Sequence, residues 1–131
     1  MVPIDVEQLT PQYLYYTFSG QITLQDLDAL RTAEEPFFTH LPDKAFLGLI
    51  LDLSDLDTIA APLFPQLQRM RLVQDPHVCI VVVVGANPYL RALTQSLGLG
   101  ISKYDFAFRQ TVDEALNVLD HHHLLHSPPE E

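Results

Sequence analysis

The sequence predicts a single small α/β domain with a central mixed, mostly parallel sheet and helices packed against it. Three observations predict this class. Strand-like and helix-like segments alternate along the chain, the order that βαβ units produce. Residues 46–53 and 78–84 are almost wholly apolar, as strands covered on both faces must be. A chain of 131 residues with 47% hydrophobic side chains can bury one core without disulfide or metal support.

The start of the chain shows no regular pattern, and the first strand is expected at residues 13–18, rich in aromatic and β-branched side chains. Ser19 and Gly20 break it. Thr23 caps a helix running to about His40, with Asp26 in its first turn. Leu24, Leu27, Ala29, Leu30 and Ala33 are its apolar stripe, and Pro36 kinks or ends it. Pro42 and Asp43 form a turn, and the apolar strand 46–53 follows. Leu63, Leu67 and Met70 recur at helical spacing within residues 61–73, where Pro62 and Pro65 confine the helix start. After strand 78–84, Gly85 and Ala86 turn the chain, Asn87 caps a helix with Pro88 first, and Gly98 and Gly100 end it. Residues 104–108 make a last strand. Thr111 and Glu114 are a capping box for a final helix from Val112 to about Leu124. The domain is expected to cover residues 1–126, with 127–131 a disordered tail.

Composition excludes several classes of function. Seven Lys and Arg face 17 Asp and Glu, a formal charge of −10, which argues against nucleic acid and anionic membranes as partners. The longest apolar run, 78–86, falls far short of the roughly 20 residues a spanning helix needs. No basic segment followed by an apolar one opens the chain, and its lone Cys79, set among valines, reads as a buried inert thiol. A cytoplasmic location is expected.

Ligands of such sheets bind beyond the carboxyl ends of the strands, here residues 55–62 and 85–87. No catalytic constellation falls there. Asp52, Asp55 and Asp57 lack an accompanying nucleophile or lysine and read as turn and capping residues. The turn at 85–88 lacks the glycine spacing and lysine of a phosphate loop. His121, His122, His123 and His126 have no Cys, Asp or Glu that completes a metal site and read as a solvated helix end. His40 and His77 are isolated. The chain is therefore read as a non-enzyme without metal or cofactor.

Several motifs, in order, resemble those of the STAS domains, the family of bacterial anti-sigma-factor antagonists and sulfate-transporter tails. Leu51-Asp52-Leu53-Ser54 followed by Leu56-Asp57-Thr58-Ile59 looks like the family's third strand and the turn after it. Val82 to Pro88 with Leu90 and Arg91, then Leu97-Gly98-Leu99, looks like its next strand, loop and helix. Tyr104 to Leu119 looks like its last strand and helix, and Gly20 to Thr23 falls where the family often has Gly, two residues and Asp. In regulated members an Asp-Ser-Ser-Gly set opens the second helix, and a partner kinase phosphorylates a serine there. In this chain that set falls on Ala60, Ala61, Pro62 and Leu63, so the resemblance is degenerate at the phosphoserine.

The resemblance implies a non-enzymatic protein-interaction module of a bacterial regulatory system. A protein partner, such as a kinase-like anti-sigma factor or another STAS protein, is expected on Asp55, Thr58, Ile59, Ala60, Ala61, Pro62, Leu63 and Asn87. Two rival uses of the apolar helix entrance are carriage of a small apolar or lipid-like ligand and a symmetric homodimer. Thr58 and Ser54 are the remaining hydroxyls, expected in turn and capping roles.

Overall fold

In a strand, successive side chains face opposite sides, so an unbroken apolar run asks for cover on both. The computed structural model describes residues 4–39, 41, 46–59, 75, 77–85, 87, 88, 92 and 105–126, and meets that demand. Its elements are β1 (Ile4–Thr10), β2 (Tyr13–Ile22), α1 (Leu24–Phe38), β3 (Leu47–Ile59), β4 (Val78–Val84), β5 (Asp105–Arg109) and α2 (Val112–His126). The strands form one sheet in the order β1-β2-β3-β4-β5. β1 runs antiparallel to β2, and all other pairs are parallel. The sheet is mixed and mostly parallel, as expected.

The two helices among the described residues cover opposite faces. Leu14, Tyr16 and Phe18 of β2, Leu47, Leu49 and Leu51 of β3, and Val81 and Val83 of β4 pack with Leu27, Leu30 and Phe38 of α1. Ile50, Ile80, Val82 and Val84 pack on the other face with Ala115 and Leu119 of α2. Gly48 lets α2 approach closely, since an added Cβ there would meet Leu119 Cδ2 at 2.8 Å.

Several sequence expectations need correction. The start of the chain is strand β1: Ile4 is buried and Val6 half-buried, while Asp5 and Glu7 between them are exposed. Two inward positions are too few to stand out as alternation. β2 does not stop at Ser19 and Gly20. Register slips between Thr17 and Ser19 and between Gly20 and Gln21, with Gly20 at φ 63°, let the strand bend and continue. β3 continues beside it, so Asp55 to Ile59 are strand rather than loop. The final strand runs on to Arg109, one residue past the expected end, and α2 runs on to His126.

In α1, Leu24, Ala29 and Ala33 are exposed, and the buried stripe is Leu27, Leu30, Glu34 and Phe38. Glu34 can be inside because the Tyr16 hydroxyl donates to its carboxylate at 2.7 Å. Pro36 lies within α1, close enough to its end that the helix runs only to Phe38. Cys79 is half-buried rather than buried. It sits at a register slip between β3 and β4, and its thiol donates to the His77 carbonyl at 3.4 Å. His77 has a role after all: its ring nitrogen lies 2.7 Å from the buried Asp75 carboxylate, which also accepts from the His77 backbone amide. Thr23 caps α1 as expected and forms a reciprocal capping box with Asp26, while at α2 the Thr111 hydroxyl accepts from the Glu114 amide and donates to its carboxylate. Residues 61–73, the turn at 42–43, His40, Tyr104 and the tail lie outside the described residues. So does the helix after Asn87, except Pro88 and Ala92, which are helical.

Three tyrosines of β2 each donate to a carboxylate on a different element. Tyr13 reaches Asp120 of α2 at 2.7 Å, Tyr15 reaches Asp52 of β3 at 2.5 Å, and Tyr16 reaches Glu34. Burial, followed by the neighbouring carboxylate, raises the pKa of all three phenols. The unfolded chain therefore loses these protons at lower pH than the native one, and stability is expected to fall as pH rises above about 10. Urea titrations across that range check this, and Tyr16→Phe should shallow the decline. At neutral pH Tyr16→Phe is expected to destabilise by about 2 kcal/mol, because a buried carboxylate loses a donor. Tyr13→Phe, whose partner Asp120 is exposed, should cost well under that.

Candidate functional site

The expected site lies where β3 outruns its neighbour. The β3–β4 ladder ends at Asp52 opposite Val84, while β3 continues to Ile59 and, among the described residues, pairs there with β2 alone. Along this projecting ribbon Asp55 lies opposite Ser19, Thr58 opposite Gln21, and Ile59 opposite Ile22. Asp55 is exposed and Leu56 is buried. Ala60, Ala61, Pro62 and Leu63 lie outside the described residues.

The turn after β4 is held against the base of the ribbon. Gly85 has φ 72°, and an added Cβ would collide with Ser54 Oγ and lie 3.0 Å from Ser54 Cα. Its N–H donates to the Arg109 carbonyl at 3.1 Å, which fastens the turn to the end of β5. Asn87, exposed, follows just before helical Pro88. Gly85 of the second predicted segment thus lies against Ser54, the residue just before the first.

Asp52 sits at the foot of the ribbon and has a structural role. Burial by itself pushes its carboxyl up, but bonds from the Tyr15 hydroxyl, the Ser54 hydroxyl and the Ser54 amide outweigh this and hold it below its usual value. The Ser54 amide donates at 3.0 Å. Among the described residues no group of three His, Cys, Asp or Glu could hold a metal, and the His122 ring packs on Phe46 with centroids 5.5 Å apart. No helix among the described residues is long and apolar enough to cross a membrane.

One surface residue escaped the sequence reading. Leu24 follows the Thr23 cap, two residues after Ile22 opposite Ile59, and is 47% exposed. A large apolar side chain in that position borders the ribbon tip. Its place at the margin of the buried stripe of α1 was the available signal, and counting it as core hid it.

No family model matches this sequence, and no curated protein does. Solved structures do share its fold. An uncharacterized protein of the DUF3478 family with a SpoIIAA-like fold, from Shewanella loihica PV-4, superposes with a TM-score of 0.70 at 17% identity, covering 88% of this chain and 91% of that one. The anti-sigma factor antagonist SpoIIAA in its unphosphorylated form gives 0.64 at 17% identity, with 90% and 96% covered. The Bacillus cell fate determinant SpoIIAA in its phosphorylated form gives 0.60 at 16% identity, with 88% and 98% covered. The fold is the SpoIIAA-like one that the STAS resemblance implied.

Two predictions follow the geometry of this end of the sheet. Gly20 and Gly85 both have positive φ, but an added Cβ at Gly20 meets nothing within 4 Å. Gly20→Ala should therefore cost only the left-handed strain, about 1 kcal/mol, and Gly85→Ala about 2–3 kcal/mol, read from urea midpoints. The depressed pKa of Asp52 contributes stability that is present above the unfolded carboxylate value of about 3.9 and is lost as pH falls through the native value. Tyr15→Phe removes one of the bonds that depress it. The variant should lose about 1 kcal/mol at neutral pH, and its acid-unfolding midpoint should move upward.

Proposed function

We propose that this protein is a non-enzymatic interaction module of a bacterial regulatory system, built like the anti-sigma factor antagonists and docking a cytoplasmic protein partner. A kinase-like anti-sigma factor or another STAS-type chain is the class of partner that suits this fold. Docking involves Asp55, Thr58, Ile59, the helix entrance Ala60, Ala61, Pro62 and Leu63, and Asn87 in the turn beside them. To these we add Leu24.

The observation that carries the reading is the projecting β2–β3 ribbon with exposed Leu24 at its tip and an apolar sequence directly after it. Apolar side chains grouped at the carboxyl end of a sheet suit a partner surface better than chemistry. The module differs from a phospho-switch. Ala61 and Pro62 stand where serines are expected, and the Ser54 hydroxyl already serves the Asp52 carboxylate. A phosphoryl group on Ser54 would set an anion against that carboxylate.

Affinity capture from the source cell tests the docking surface. Ala61→Asp and Leu24→Asp should each remove the captured partner while leaving the melting curve within a few degrees of the parent. Retention of the same partner by both variants would reject the site. Intact mass of the protein from those cells should show no phosphorylated form, and native mass spectrometry should show no bound apolar ligand.

A further inference from the structure

A strand at a sheet edge exposes half of its backbone N–H and C=O groups to any extended chain that can approach. Among the described residues β1 is such an edge, pairing with β2 on one side only. Protection by covering is absent along its second half, where Glu7, Gln8, Leu9 and Thr10 are all exposed, Leu9 at 37%. The question is which chain could pair there.

The side chains of β1 answer it. Asp5, opposite Thr17, and Glu7, opposite Tyr15, are exposed on one face of the sheet. Asp52 stands two strands further in on the same face, opposite Thr17 from the β3 side. Among the described residues no Lys or Arg pairs with Asp5 or Glu7. On the opposite face Val6 is half-buried against the α1 core, leaving part of its surface open at the edge. A second copy added antiparallel with Val6 opposite Val6 would set Asp5 of each copy against Glu7 of the other, and like charges directly opposed are destabilising. The chain's net charge of −10 adds to that repulsion. The edge charges thus reject self-pairing and admit a strand of the other sign.

We propose that β1 is a second docking edge, which accepts an extended basic segment of a partner protein by strand addition. Its Lys or Arg residues lie beside Asp5 and Glu7, and its intervening apolar residues lie beside Val6. This edge is separate from the ribbon tip, and either surface can operate without the other.

The test uses the full chain and a short synthetic peptide alternating lysine and valine, with an alternating glutamate and valine peptide as control. Fluorescence anisotropy should show binding of the lysine peptide alone, weakened by added salt. Binding should weaken about tenfold in the Asp5→Asn/Glu7→Gln variant. Amide exchange across Ile4–Thr10 should slow in the complex. Both substituted residues are exposed, and an unchanged melting curve for the variant confirms that it folds. Absence of binding, equal binding of both peptides, or binding that leaves the β1 amides unprotected overturns the proposal. Concentration-dependent self-association that protects β1 overturns it in favour of a second copy.

Discussion

The parallel pairing of β2 with β3 is the constraint on which the rest of this structure depends. It joins the second and third strands over nearly the whole of β2, from Tyr13 opposite Gly48 to Ile22 opposite Ile59. Because side chains alternate along each strand, this register decides which residues face α1 and which face α2. A slip of one residue would carry Leu49 and Leu51 to the α2 face and Ile50 to the α1 face. Two bulges near Gly20 absorb the mismatch between the inner sheet and the projecting ribbon. The core and the candidate site are therefore two ends of one ladder.

Burial alone does not specify how the helices sit on that ladder, since apolar contact is non-directional. The β2 tyrosines supply direction. Tyr16 points into the α1 face and ends on Glu34; Tyr13 points the other way and ends on Asp120 of α2. Tyr15 ties β2 to β3 through Asp52, whose remaining oxygen serves Ser54 at the foot of the ribbon. The Glu34 and Asp52 carboxylates would be costly to bury or half-bury without such a donor. The polar bonds thus hold α1, β3 and α2 to β2, the strand that contains all three tyrosines.

The sequence showed this architecture wherever the physics was local. The apolar runs of β3 and β4, the Thr23 and Thr111 caps, and the positions of both described helices were legible because periodicity and capping are properties of short segments. What was missed depended on distant partners. Glu34 was left out of the α1 stripe because Tyr16, eighteen positions earlier, gives no sign in sequence that it will donate to it. Asp55 to Ile59 looked like a loop because continuing β3 required β2 to bend past Gly20 alongside it. β1 was missed because an edge strand buries only one face, and here that face holds little beyond Ile4 and Val6. Of the expected site, the contact of the Gly85 turn with Ser54 lies at the strand carboxyl ends, where the sequence placed any site. The exposure of Leu24 was not legible, since its type and spacing also fit a core residue.

Among the described residues, the β2–β3 ribbon and β1 both leave strand backbone paired on one side, and the two differ in character. At the β2–β3 ribbon, β3 continues past β4 with exposed Leu24 nearby and an apolar sequence following, a surface suited to close packing. At β1 the backbone is flanked by Asp5 and Glu7, which filter by charge before any packing occurs. An apolar surface gains affinity from desolvation but discriminates weakly, whereas opposed charges discriminate more than they bind. A regulatory module without enzymatic chemistry has only such recognition to work with. Placing an apolar surface and a charge-selective edge on the same β2 ladder would let one partner engage both, with the edge setting which chains approach and the ribbon setting how long they stay.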